Sequence, residues 1–364
     1  MRVGIDVTPL LRERTGIAVC TELLVQSARQ AGNEVVGLVS GWRQLRDGPV
    51  ALDVPTVRNW VPRTLNPILM DILRWPAVET LFGRLDVFVA TNYAILPARR
   101  ATNIALLHDV GRLMHPNLYG KRQVLRTRFM VRRCARFADI LMVPTESVAR
   151  EVVDLGFAAP DRIRVVPWFA RAMPPARAEL DGLPVNGPFL LCVATHERRK
   201  NLPLLVRAFQ RAAEEMPHHL VIAGGSGPDS EAVLATARSN GASDRIHFIG
   251  HADPVELATL YSYADLAVCP SCYEGFGLTL LEAMASGCPV LATDIAAHRE
   301  VGGDAVRLVP PDDEQAITAG LVDLVRDDLA RRQLRDLGLE RSRRFSTRET
   351  GRQFGDLLSS LSGP

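Results

Sequence analysis

Glu274 and Glu282 are the residues of this chain whose types and spacing point most directly to chemistry. The first stands in a glycine-flanked turn, Pro270-Ser271-Cys272-Tyr273-Glu274-Gly275-Phe276-Gly277. The second lies on the amphipathic helix predicted to begin there, where Leu278, Leu281 and Met284 supply an apolar face. Gly275 and Gly277 let backbone N–H groups approach a ligand without obstruction by a Cβ, and a helix N-terminus favours an anion such as phosphate. Carboxylates beside such a site accept hydrogen bonds from hydroxyls, so a sugar bearing a phosphate suits both halves. On these residues alone two readings stand: a sugar phosphate site, or a loop-to-helix junction with Glu282 on a solvated face.

Other segments carry related chemistry. Thr195-His196-Glu197-Arg198-Arg199-Lys200-Asn201 follows a predicted strand, and its three consecutive cations either neutralise a diphosphate or form a solvated cluster. Lys121 and Lys200 are the only lysines among 43 basic residues, so an ammonium at position 200 stands out against an arginine background. His108-Asp109 follows the predicted strand Asn103 to Leu107 and reads as a ligand contact or as a helix cap. Leu220 to Gly227, with Gly224 in its turn, is a weak dinucleotide fingerprint, because no acidic residue is well placed about twenty residues later for a ribose. No Asp-x-Asp triplet occurs, and His247 and His251 straddle a predicted strand end, so no catalytic metal is expected. Cys269 and Cys272 have redox or metal spacing without a second ligand pair, and the cysteines read as buried thiols.

The stretch Pro270 to Gly287, continuing through Pro289-Val290-Leu291-Ala292-Thr293-Asp294 to Glu300-Val301-Gly302-Gly303-Asp304-Ala305, closely resembles the Glu-x7-Glu motif of the retaining glycosyltransferases of family 4. That resemblance implies an α/β fold of the GT-B type, two facing Rossmann-like domains with a cleft between them. It implies that Glu274 contacts the transferred sugar, that the backbone of Gly275, Phe276, Gly277 and Leu278 faces sugar and diphosphate, and that Glu282 holds the nucleoside ribose. By the same resemblance Arg199 and Lys200 serve the diphosphate, His108 lies near the sugar hydroxyls, and Gly224 helps enclose the nucleotide. Arg14-Thr15-Gly16-Ile17-Ala18 resembles the family's glycine loop after the first strand, which makes Gly16 a donor-binding candidate. The chain departs from the family at Ala194 and Ala18, where glycine is usual. The implied reaction is metal- and cofactor-free transfer of a hexosyl unit, mannose or rhamnose favoured, from a nucleoside diphosphate sugar to a saccharide or lipid-linked acceptor in cell-envelope assembly. A nucleotide-sugar epimerase and an inactive sugar-nucleotide-binding protein are the alternatives.

These residues need strands and turns to position them. At 364 residues the chain exceeds the length at which one core stops growing, and short apolar strands alternate with helical stretches, the pattern of parallel sheets. The series predicts an N-terminal domain over 1–166, a Pro-rich linker over 167–188, a second domain over 189–345 and a terminal helical segment, 346–364, which the resemblance packs back on the first domain. No run of about 18 apolar residues exists, and Met1 to Asp6 enters a strand directly, so the chain is expected in the cytoplasm. Lys121 to Phe137 is strongly basic with apolar residues interleaved, and reads either as a solvated helix face or as a helix lying on anionic lipid at the membrane's inner face. Nucleic acid is not an expected partner, since the net charge is only +2 and no nucleic-acid-binding motif is present.

Overall fold

The computed structural model describes residues 1–11, 16–40, 54–59, 72–171, 173–177, 185, 187–239 and 242–361. Arg14 and Thr15, and Leu183-Pro184 of the Pro-rich stretch, lie outside the described residues. The chain divides into two units, Met1–Trp168 with Thr347–Pro364, and Phe169–Ser346.

Unit 1 is built on a parallel sheet of strands β1 (Arg2–Asp6), β2 (Glu34–Ser40), β3 (Thr56–Asn59), β4 (Val87–Ala90), β5 (Thr102–Leu106), β6 (Ile140–Val143) and β7 (Ile163–Val165), in the order β3-β2-β1-β4-β5-β6-β7. Most of these strands are buried along their length, as expected where helices cover both faces and the sequence reads as continuous apolar runs. Strand β3 is absent from the sequence expectation. Its four residues, Thr-Val-Arg-Asn, carry one apolar side chain and, among the described residues, pair only with β2, so no hydrophobic run marks it. The helix Thr347–Leu361 packs on the helix Gly16–Gln30, and Thr350 Oγ1 donates to the Pro167 carbonyl at 3.0 Å.

Unit 2 repeats the plan with strands β8 (Phe189–Val193), β9 (His219–Ala223), β10 (Ile246–Gly250), β11 (Leu266–Cys269), β12 (Val290–Thr293) and β13 (Arg307–Val309), all parallel in the order β10-β9-β8-β11-β12-β13. In both units the strand order reverses direction at the first strand. The reversal in unit 2 falls between β8 and β11, and ligands of open parallel sheets bind beyond the carboxyl ends of the strands that flank such a reversal. Part of the Pro-rich stretch belongs to this unit: Phe169 is buried and the Arg177 amide donates to Thr259 Oγ1 at 3.0 Å.

Phe354 is fully buried on the terminal helix. Phe354→Ala should destabilise unit 1 by about 3–5 kcal/mol through lost burial and a residual cavity. Urea unfolding followed by circular dichroism checks this; a loss below about 1 kcal/mol would mean that the terminal helix contributes no core.

Candidate active site

The loop after β8 and the loop after β11 meet because those strands are neighbours. From the first come Arg199 and Lys200, in a short 3-10 turn, Arg198–Lys200, whose exit requires Asn201 to adopt a left-handed φ of 55°. From the second comes Glu274. Lys200 Nζ donates to Glu274 Oε1 at 2.6 Å, Arg199 Nη1 donates to Oε2 at 2.7 Å, and Ser271 Oγ donates to Oε1 at 2.8 Å. Arg199 Nε also donates to Glu197 Oε2 at 2.9 Å, while the Cys272 amide donates to the Arg199 carbonyl at 2.8 Å and ties the two loops together. Lys200 is buried, whereas Arg198 faces solvent opposite Asp229, so the cation triplet divides into two inward groups and one outward group.

Burial opposes charge on Glu274, but Lys200 and Arg199 outweigh it and hold the carboxyl well below the usual carboxylate range. His298, from the helix Ala296–Gly302, is fully enclosed and kept neutral chiefly by burial. Its Nδ1–H donates to the Thr293 carbonyl at 2.8 Å, and its Cδ2 lies 3.2 Å from where a Cβ on Gly277 would stand. Gly277 itself adopts a φ of 94° and opens the helix Leu278–Ala285 with no side chain capping its N-terminus. A side chain at position 277 would meet both strain and the imidazole, so glycine is required to bring the turn against His298.

Glu282 is buried rather than on a solvated face. Its Oε1 accepts from Arg171 Nη2 at 2.9 Å, and burial, only partly offset by Arg171, raises its pKa above the ordinary value. Phe276 is buried with its ring edge-on to Phe345, the centroids 5.6 Å apart. Gly224, at the end of β9, has a φ of 156°, and a Cβ there would lie 2.0 Å from the Ala194 carbonyl oxygen. The glycine turn is thereby pressed onto the loop that carries Lys200, and a Cβ on Gly227 would likewise lie 2.4 Å from the His196 carbonyl oxygen.

Glu274, Arg199 and Lys200 therefore form one network, with Gly275 to Leu278 and Glu282 continuing from it along the chain. His108 and Gly16 belong to unit 1. His108 follows β5, and its Nε2 lies 2.8 Å from the Thr91 carbonyl. Burial lowers its pKa, so the neutral ring donates from Nε2 and keeps Nδ1 as an acceptor. Gly16 is the exposed first residue of its helix. Sequence reasoning did not single out Arg171, inside the Pro-rich stretch, or His298; neither sits in a local pattern that distinguishes it. Cys269 and Cys272 are free thiols, the first buried.

Comparison with known proteins agrees with this construction. A model described as glycosyl transferase 4-like domain matches residues 15–168, and one described as glycosyl transferases group 1 matches residues 179–341. The chain is similar to the O-antigen chain mannosyltransferase B of Escherichia coli, 27% identical over 69% of this chain and 68% of that protein. It is also similar to the D-inositol 3-phosphate glycosyltransferase of Corynebacterium glutamicum (strain R), 30% identical over 61% of this chain and 57% of that protein. The match thus spans a little over half to about two thirds of the length of these relatives. Among solved structures, Anabaena HepE in complex with UDP-glucose has a TM-score of 0.73 at 16% identity, covering 99% of each chain. With two parallel-sheet units, a matching model for each half and a carboxylate-cation network at the strand reversal of the second, the chain belongs to the group 1 glycosyltransferases, hexosyl-transferring enzymes of the GT-B fold.

Proposed function

We propose that this chain transfers a hexosyl unit, with mannose or rhamnose favoured, from a nucleoside diphosphate sugar to a saccharide or lipid-linked acceptor, with retention of configuration and without a metal ion. The observation that carries the reading is the largely enclosed Glu274 carboxylate held between Lys200 and Arg199, beside an uncapped helix N-terminus. The named mannosyltransferase relative supports the choice of sugar, and the UDP-glucose complex of HepE supports the donor class.

The chemistry follows from those groups. An ammonium has three N–H donors, and Lys200 gives one to Glu274, leaving two for phosphate oxygens. As the anomeric C–O bond breaks, charge develops on the departing phosphate oxygen, where Lys200, Arg199 and the first amides of the helix Leu278–Ala285 stabilise it in place of a metal. Glu274 and the backbone of Gly275, Phe276, Gly277 and Leu278 orient the sugar, and Glu282 accepts the ribose hydroxyls. Gly224 closes the turn beside the nucleotide. The acceptor hydroxyl attacks the anomeric carbon from the face that the phosphate leaves, its proton passing to that phosphate oxygen as the new C–O bond forms.

Lys200→Ala should lower kcat on the order of 10²–10³-fold, the usual effect of removing one group that stabilises a developing anion. Glu274→Gln should lower transfer while leaving nucleoside diphosphate affinity within about threefold. Both are assayed with a nucleotide-sugar panel in excess chelator, where wild type keeps its activity. Full turnover by a folded Lys200→Ala variant would remove this residue from the diphosphate, and loss of wild-type activity restored by magnesium would remove the metal-free mechanism.

A membrane-facing role for the basic helix Lys121–Phe137 is the second part of the proposal. The helix contains no acidic residue, exposes Arg122, Arg126, Arg128, Arg132 and Arg136, and leaves Leu125 67% and Phe129 45% exposed among them. Arg133 is not part of that face: it is buried against the rings of Phe129 and Phe137. Each surface cation is worth about 1 kcal/mol toward an anionic leaflet and is screened by salt. Wild type should co-sediment with phosphatidylserine vesicles at low salt and be released at high salt, and a variant with Arg126, Arg128 and Arg132 changed to Glu should stay in the supernatant. Wild type remaining in the supernatant at low salt would make this an ordinary solvated face.

A further inference from the structure

Arg171 reaches Glu282 from 111 residues away in sequence. Its place is fixed by the two residues before it. Phe169 is buried, the Ala170 amide donates to the Phe345 carbonyl at 2.9 Å, and Phe345 packs edge-on against Phe276 of the glycine turn. The segment that carries Arg171 is therefore held to the same turn that opens the Glu282 helix. Arg171 bonds only one carboxylate oxygen, and Oε2 of Glu282 makes no hydrogen bond to the described residues.

We propose that Arg171 is a positioning residue for the nucleoside half of the donor, holding Glu282 so that its second carboxylate oxygen accepts the ribose hydroxyls. This rests on the assignment of Glu282 to the ribose. The guanidinium does two things for such an acceptor. It fixes the rotamer of a side chain that otherwise has one polar end in an apolar surrounding, and it opposes the burial that favours the neutral carboxylic acid.

The other groups around Glu282 do not replace it. Lys200 acts on it through space but donates to Glu274. Tyr261 and Cys269 are un-ionised groups held so by burial. His298 is neutral and turned to Thr293, and Arg335, from the helix Asp328–Ser342, lies beside Gly287. Removing Arg171 thus leaves a buried carboxyl whose pKa rises further, so it takes up a proton as pH falls and stops being a full acceptor.

Titration calorimetry on the full chain with UDP, GDP and inorganic diphosphate, from about pH 6 to about pH 9, tests this. For whichever nucleotide wild type binds, Arg171→Ala should lose about tenfold in affinity at the acid end and recover part of it as pH rises. Diphosphate binding should stay unchanged, and Arg171→Lys should restore most of the loss. Wild-type affinity in Arg171→Ala, or a loss equal at every pH and unrescued by lysine, overturns the proposal. Glu282→Gln separates the failures. If it binds nucleotide like wild type, the ribose assignment is wrong and Arg171 falls with it; if it weakens binding while Arg171→Ala does not, Arg171 alone is removed.

Discussion

The interaction on which the second unit is organised is the Glu274 carboxylate between Lys200 and Arg199. A buried carboxylate loses its hydration at a cost of several kcal/mol, and it is tolerated only where donors replace the water. Here three side chains do so, two of them charged. The two charged donors lie 74 and 75 residues away along the chain, and only a sheet in which β8 and β11 are adjacent brings them into range. Strand order is thus a requirement of the ion network as much as of the apolar core. Because a well-packed apolar cluster of the same volume would serve stability as well or better, stability alone does not account for charge at this place.

Close backbone approach is the second constraint, and it explains how the chain accommodates its departure from the usual glycine at position 194. The Ala194 side chain is buried in the core of unit 2, while its carbonyl lies so near Gly224 that no Cβ could stand between them. The contact needs one glycine, and Gly224 supplies it from the neighbouring strand. The methyl at 194 points into the core rather than toward the glycine turn, so the turn keeps its place beside the Lys200 loop.

Much of this was legible in the sequence because parallel strands are buried on both faces and appear as unbroken apolar runs, and because Glu274, Arg199 and Lys200 lie in recognisable local strings. What was hidden depends on tertiary contact. The strand Thr56–Asn59 has too few apolar residues to register as a run. The sequence left open whether Glu282 faces solvent, and its burial comes from the packing of the helix Leu278–Ala285 among its neighbours. Arg133 reads as one more surface cation until helical geometry turns it inward against two phenylalanine rings. Arg171 stands in a Pro-rich stretch that looks like a spacer, and nothing local marks it as the partner of a residue on a distant helix.

The two carboxylates of the motif illustrate why spacing alone does not define a role. They lie on one turn and the helix it opens, both largely enclosed, yet their titration is pushed in opposite directions. Two cations outweigh burial at Glu274 and hold its carboxyl well below the usual carboxylate range. One partly exposed guanidinium does not outweigh it at Glu282, whose charge stays sensitive to its surroundings. Groups in one site whose environments separate their pKa values are suited to different tasks. A carboxylate held in its charged form by two cations is suited to fixing the geometry of a charged centre. A carboxylate with one oxygen unoccupied and little solvent around it is suited to recognising hydroxyl groups, because each hydrogen bond it accepts also offsets the burial of its own charge.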